Sequence, residues 1–234
     1  MGNTLKFDGN PIKITFEARD YSWKFIDCAK DDIKAVELLY KNQIFSLSVY
    51  HMQQAIEKIL KSYLIISGAY EIKEPESFRH NLDKMINDMM DRTDSLNYNF
   101  NKAGKTQHPF PKEQLELKTL TIDKLFLLSG KQIKKFLEIG EKRMSLAHHA
   151  VKQLNEQPDS LAGKLLFSIN YYLIPCAIIF GKHENCSRYP GLVIDPTNYS
   201  KNVGLVVMIP EIILGLKEII MEIEQWTDRT ITTN

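Results

Sequence analysis

Seven apolar residues, Phe45, Val49, Met52, Ile56, Ile59, Tyr63 and Ile66, recur at alternating spacings of four and three. At the pitch of an α-helix that rhythm lines them along one face, so the segment must be an amphipathic helix packed on other elements. A strand would send alternate members to opposite faces. Gly68 follows as a C-cap. A second stripe lies near the C-terminus: Leu205, Met208, Ile212, Leu216, Ile219, Ile223 and Trp226. Pro210, inside that pattern, either kinks the helix or marks its true start.

Helical signals dominate the rest. Asp20 to Leu39 reads as a first helix capped by Asp20, with Trp23, Ile26 and Cys28/Ala29 opening its buried side. His80 to Met90 is a short third helix. Glu113 to about Gln153 is helical with a break near Gly130 or Gly140, and Leu161 to Gly181 follows Pro158-Asp159-Ser160. Two irregular stretches intervene, Asp91 to Pro111 and Lys182 to Asn202. Ile12 to Phe16 alternates apolar and polar and reads as a short strand or an extended arm. The expectation is an all-α chain, with neither internal repeats nor low-complexity segments.

Composition narrows the function classes. A formal net charge of +1 gives no global field toward nucleic acid or anionic lipid, so any basic site has to be local. Three cysteines, Cys28, Cys176 and Cys186, with no Cys-x-x-Cys pair, argue against a disulfide framework or a zinc site and fit a reducing compartment. The most apolar stretch, Leu165 to Phe180, is shorter than a bilayer requires and holds Ser168, Asn170 and Pro175, which suits a buried helix. The first ten residues have no apolar signal core, so a cytoplasmic location off the membrane is expected. A Gly-rich phosphate loop, His-Glu-x-x-His, Gly-x-Ser-x-Gly and a dinucleotide fingerprint are all missing, and no cofactor is expected.

The block His51-Met52-Gln53-Gln54-Ala55-Ile56-Glu57-Lys58-Ile59-Leu60-Lys61 resembles the second helix of the HEPN family (higher eukaryotes and prokaryotes nucleotide-binding domains), which reads roughly QQAxEKxLK. His80-Asn81-Leu82 is similar to the His-x-Leu that opens the family's third helix. Ser187-Arg188-Tyr189-Pro190 resembles the turn before its final helix. The resemblance implies an up-and-down helical bundle that pairs as a homodimer. A minimal domain of this family is near half the present length. The expected organisation is an N-terminal arm over 1–19 and a single domain over 20–234, with helices inserted at about 91–160.

Many members of the family are ribonucleases that use an Arg followed, after four to six residues, by a His. Such a pair would hold the scissile phosphate and move a proton without a metal. The matching residues are Arg143 and His148, with His149 as the alternative base, in the most basic stretch of the chain beside Lys131, Lys135 and Lys142. Against this, Glu138 and Glu141 interrupt the patch, the position is not the family's usual one, and a histidine pair near a helix end is commonly just surface. Arg188 and Tyr189 are a second candidate, a guanidinium and a phenol ring able to hold a phosphate and stack a base. Their alternative role is structural, with Tyr189 under the last helix and Arg188 capping carboxyls or carbonyls. Gln53, Gln54, Glu57, Lys58 and Lys61 lie off the apolar stripe and are expected to face a partner or water, with Glu57 and Lys61 supporting each other one turn apart. His51 and His80 read as structural, His80 at the start of its helix.

Two functions stay open. One is an RNA- or nucleotide-binding protein, with a metal-independent ribonuclease of toxin or defence type as its sharper form. The other is a non-catalytic interaction module paired with a nucleotidyltransferase-like or other partner. The chain carries no nucleotidyltransferase motif of its own, so that partner would be a separate chain.

Overall fold

The computed structural model describes residues 14–89, 91, 112–138, 164–165 and 168–230, and every regular element among them is helical. Helix α1 spans Phe16–Lys41. Its cap is Thr15, whose hydroxyl accepts from the Ala18 N–H at 3.1 Å. The helix therefore starts before Asp20, which sits inside the first turns in an ion pair with Arg19. Ile14 and Thr15 form a short non-helical lead-in, and the rest of the expected arm lies outside the described residues. Ile26, Ala29, Ile33 and Val36 are the buried side of α1.

Helix α2, Phe45–Ile66, is the axis of the molecule. Val49, Met52, Ile56, Ile59 and Ile66 of the stripe are enclosed, and so are Ala55, Leu60, Leu64 and Ile65 on other faces. A helix apolar on most of its circumference belongs in the middle of a bundle. α2 packs most extensively on α1 and also meets the later helices. It ends where Gly68 turns to a φ of +68° and returns its N–H to the Ile65 carbonyl at 3.1 Å.

A 3₁₀ turn, Glu74–Phe78, leads to α3 over 82–89. Asn81, not His80, caps α3: its side-chain oxygen accepts from the Lys84 N–H at 2.8 Å. The stretch expected as one long helix with a break near Gly130 or Gly140 is α4, Lys112–Thr119, then α5, Ile122–Phe126, then α6 over 130–138. A break near Gly130 is present, over 127–129 directly before Gly130, an additional one falls at Leu120–Thr121, and Gly140 lies outside the described residues. Helix α7, Ile174–Gly181, follows a π turn over Ile169–Leu173. Pro175 accounts for that turn, because it lacks an N–H and its ring crowds the carbonyl four residues back. Leu173 to Phe180 are all buried, as read from the sequence, and among the described residues no helix is long and apolar enough to cross a membrane. A further 3₁₀ turn, Pro196–Asn198, precedes α8, Gly204–Val207, and α9, Ile209–Thr230. Pro210 is the second residue of α9 and so marks its start.

The members of the second stripe also face the chain's own core, from Leu205 to Trp226. Neither stripe is left for a second copy. What remains outside on α8 and α9 is the spaced row Val207, Leu214 and Met221, all exposed.

Gly204 fixes how closely the 128–130 segment between α5 and α6 meets the start of α8. A Cβ there would stand 2.0 Å from the Leu128 carbonyl oxygen and 2.6 Å from the Gly130 nitrogen. Both are backbone atoms that no rotamer change can move. At Gly215 the obstruction is the Tyr172 ring tip at 2.3 Å, the end of a side chain. Gly204→Ala should therefore destabilise by about 3 kcal/mol or more, and Gly215→Ala by less. Urea unfolding of the two variants checks the order; equal losses would show that the 128–130 segment yields easily.

Candidate functional site

The polar residues of the second-helix motif do not face water. Gln53, Gln54, Glu57 and Lys61 are buried, and the expectation of a solvated or partner-facing surface is corrected for them. Lys58 keeps a quarter of its side chain exposed. α2 is central, so its off-stripe positions meet neighbouring elements as well. The buried groups satisfy one another. Gln54 Nε2 donates to Gln53 Oε1 at 2.5 Å, Gln53 Nε2 donates to Glu57 Oε2 at 3.3 Å, and Lys61 Nζ donates to Glu57 Oε1 at 2.8 Å. Lys61 also donates to the carbonyl of Arg79, a non-glycine residue held at a φ of +52°. That bond ties α2 to the turn before α3. It leaves His80 exposed, with Nδ1 3.5 Å from Glu57 Oε1.

On the α1 side, Asp32 accepts from His51 Nδ1 at 2.9 Å and from Lys58 Nζ. Burial alone would raise the Asp32 carboxyl, but the hydrogen bonds from His51 and Lys58, and their charges, hold it below its usual range.

Arg188 joins these groups from the other end of the sequence. Its guanidinium lies 4.6 Å from the Tyr50 ring centre and 4.9 Å from that of Tyr189. Nη2 reaches Glu184 Oε1 at 3.3 Å, and Nε donates to the Glu184 carbonyl at 3.4 Å. Both structural and open roles are therefore present in one side chain: Arg188 does cap a carboxyl and a carbonyl, yet Tyr189 is 53% exposed instead of lying under the last helix. Glu184 is half-buried. Desolvation raises its carboxyl, with Glu57 adding to the rise and Arg188 and His80 opposing it. Tyr50 touches both sides, for the His51 ring packs edge-on against it at 5.2 Å. One cluster thus joins Asp32, His51, Lys58, His80, Glu184 and Arg188 with the buried Glu57–Lys61 pair.

The other sequence candidates fall elsewhere. Arg143, Lys142, His148 and His149 lie outside the described residues. Lys131 and Lys135 are exposed on α6. Lys182 donates to the Lys118 and Leu120 carbonyls and so closes the end of α4. His183 is an anchor beneath the Arg188 turn: it is fully buried, with Nδ1 2.8 Å from the Tyr199 hydroxyl. The three cysteines are free thiols.

Two measurements probe this arrangement. Removing Lys61 alone strands a buried carboxylate, so Lys61→Met should cost about 3–5 kcal/mol, while Glu57→Gln with Lys61→Met should recover much of the loss. A double mutant no better than the single would show that the pair is not the coupled unit. Burial lowers the pKa of His183 from 6.5 to about 4. The unfolded chain therefore takes up this proton first. The neutral imidazole's contribution is complete above about pH 6.5 and is lost as the pH falls toward 4, up to about 3 kcal/mol. His183→Gln should flatten the stability profile across that window, and an unchanged profile in denaturant titrations would remove His183 as its source.

The family model of the HEPN domain matches residues 22–106, a range that holds most of α1, all of α2 and α3, and Asp32, His51, Glu57, Lys58, Lys61 and His80, but not Glu184, Arg188 or Tyr189. A curated protein of Methanocaldococcus jannaschii, named "Putative toxin MJ1304", is 31% identical over 81 residues, covering 28% of this chain and 53% of its own length. The chain thus spans about half the length of that relative. No solved structure matches the chain significantly. The motif residues Gln53, Gln54, Glu57 and Lys61 lie inside the matched range, so the resemblance of residues 22–106 to the HEPN domain rests on the part of the chain that builds this cluster.

Proposed function

We propose that this is a HEPN-type RNA- or nucleotide-binding protein in which Arg188 contacts phosphate and Tyr189 offers a stacking face. The observation that carries this reading is the guanidinium held between two aromatic rings, one of them exposed, at the edge of the motif surface. Aromatic contact fixes the direction of the guanidinium and leaves its charge available for an anion. Lys131, Lys135 and Lys142 extend the same function along the strand. In its sharper form the protein is a metal-independent ribonuclease of toxin or defence type, acting in the cytoplasm. Arg143 would then hold the scissile phosphate, and His148, or His149, would take the 2′-hydroxyl proton. Added ribonucleotide should raise the melting temperature by mass action, and Arg188→Ala should abolish the rise. In the same preparation single-stranded RNA should be cut in the presence of chelator while DNA is spared, and Arg143→Ala with His148→Ala should stop the cutting. Absence of any thermal shift at millimolar nucleotide would reject the binding site, and intact RNA would reject the ribonuclease.

The second reading, a non-catalytic module that pairs with a nucleotidyltransferase-like protein, draws on the exposed row Val207, Leu214 and Met221. Under the first reading the same row serves a homodimer, since apolar residues repeated along a helix surface are suited to another helix. Sedimentation should give a dimer at micromolar concentration and a monomer for Leu214→Glu. A wild-type monomer that gains mass only with a nucleotidyltransferase-like partner would favour the second reading.

A further inference from the structure

Eight ionisable side chains meet in the motif cluster, and their charges nearly cancel. Asp32, Glu57 and Glu184 supply the negative charges; Lys58, Lys61 and Arg188 supply the permanent positive ones. With neutral imidazoles the formal sum is zero, and an anion approaching Arg188 meets no net attraction. His51 and His80 decide what happens otherwise. Each turns Nδ1 toward a carboxylate, His51 toward Asp32 at 2.9 Å and His80 toward Glu57 at 3.5 Å. Each also has solvent access, with side chains 32% and 68% exposed. The carboxylates are mostly enclosed, Asp32 at 12% and Glu57 at 3%. The negative ends of these pairs therefore lie inward and the imidazoles outward. The His51 ring packs edge-on against Tyr50, the ring that Arg188 lies over, and the Glu184 carboxyl feels both His80 and Arg188.

We propose that the charges of His51 and His80 gate the Arg188 site, which takes up a single-stranded RNA phosphate when both imidazoles are protonated and releases it when they are neutral. Protonation of both changes the formal sum of these eight groups from zero to two positive charges, and imidazole is the side chain type that makes such a change between pH 5 and 8. The described groups around the two rings are carboxylates, permanent cations and a phenol. From α1 the rings meet Asp32, from α2 Tyr50, Glu57, Lys58 and Lys61, from the turn before α3 the Arg79 backbone, and from the turn after α7 Glu184 and Arg188. The inference rests on Arg188 as the phosphate contact.

The test is fluorescence anisotropy of the full chain with a labelled single-stranded RNA of about ten nucleotides, at fixed ionic strength, at about pH 8 and pH 6. These limits stay above most of the window in which His183 weakens the fold. Affinity should rise at least tenfold at the lower pH. His51→Gln and His80→Gln should each reduce the rise, and together remove it, whereas Arg188→Ala should weaken binding at both values. The chain holds other histidines, so the double variant, not the wild-type slope, is the deciding measurement. Should that variant fold poorly, imidazole NMR of the wild type serves instead. A ligand that prefers the protonated form must raise the titration midpoints of His51 and His80 when RNA is added. A double variant that keeps the full rise, or midpoints unmoved by bound RNA, overturns the gate and leaves Arg188 as the phosphate contact. RNA binding untouched by Arg188→Ala at both pH values, or no binding at all, overturns the underlying reading.

Discussion

The Glu57–Lys61 pair, one turn apart on a helix enclosed by its neighbours, is the interaction on which the rest depends. A carboxylate and an ammonium taken out of water are each costly, and their attraction compensates only where the remaining lone pairs and protons also find partners. Here they do. Gln53 donates to the second Glu57 oxygen, and Lys61 gives another proton to the Arg79 carbonyl. The latter bond is long-range in effect. It secures a turn whose left-handed residue is not glycine, and that turn sets His80 over Glu57. A buried electrostatic requirement in α2 thus becomes a position for an exposed imidazole.

The same logic brings together segments distant in sequence. Arg188 comes after α7, yet its contacts are with Tyr50 of α2 and with its own turn. The turn is itself anchored from below by His183 against Tyr199, with the Phe126 ring of α5 5.3 Å from that of Tyr199. Helix α5 thus contributes to the support under the Arg188 turn, and its neighbours α4 and α6 also meet the later helices. They dock through Lys182 at the end of α4, Gly204 against 128–130 and the Lys134–Glu211 ion pair. Of these, the close backbone approach at Gly204 tolerates least.

How much of this was legible in the sequence follows from which signals are local. The stripes of α2 and α9, the Gly68 cap and the place of Pro210 are set by periodicity and backbone chemistry within a few residues, and each could be read directly. The start of α1 was placed too late because Asp20 and Thr15 are both good caps, and only the fold decides between them. The polar residues of the motif were misplaced for a different reason. A helical wheel gives relative directions but not how many sides of the helix are covered. Ala55, Leu60, Leu64 and Ile65, apolar and off the stripe, were the available sign that α2 is central and that Glu57 and Lys61 are buried between neighbours. The pairing of His51 with Asp32, or of His80 with Glu57, depends on the packing of α1 and of the turn before α3 on α2, and no spacing within one element reports it. Arg188 and Tyr189 were legible as a candidate through their resemblance; their ring partner Tyr50 was not.

A phosphate contact at Arg188, as proposed, has to meet the carboxylates of the same cluster, of which Glu184 is paired with the guanidinium. The burial pattern resolves the conflict. Asp32 and Glu57 are held by groups that lie deeper or beside them, Lys58 and Lys61, so their charge is largely answered before a ligand arrives. Glu184 is the exception, half-buried and paired with Arg188 itself. Its carboxyl is the one whose ionisation is disfavoured, by desolvation first and by Glu57 next. A group so placed is a weak competitor for the guanidinium, and any protonation of it removes the competition further. The arrangement therefore keeps Arg188 aimed by aromatic contact and only lightly held by charge, which is the condition an exchangeable anion site needs.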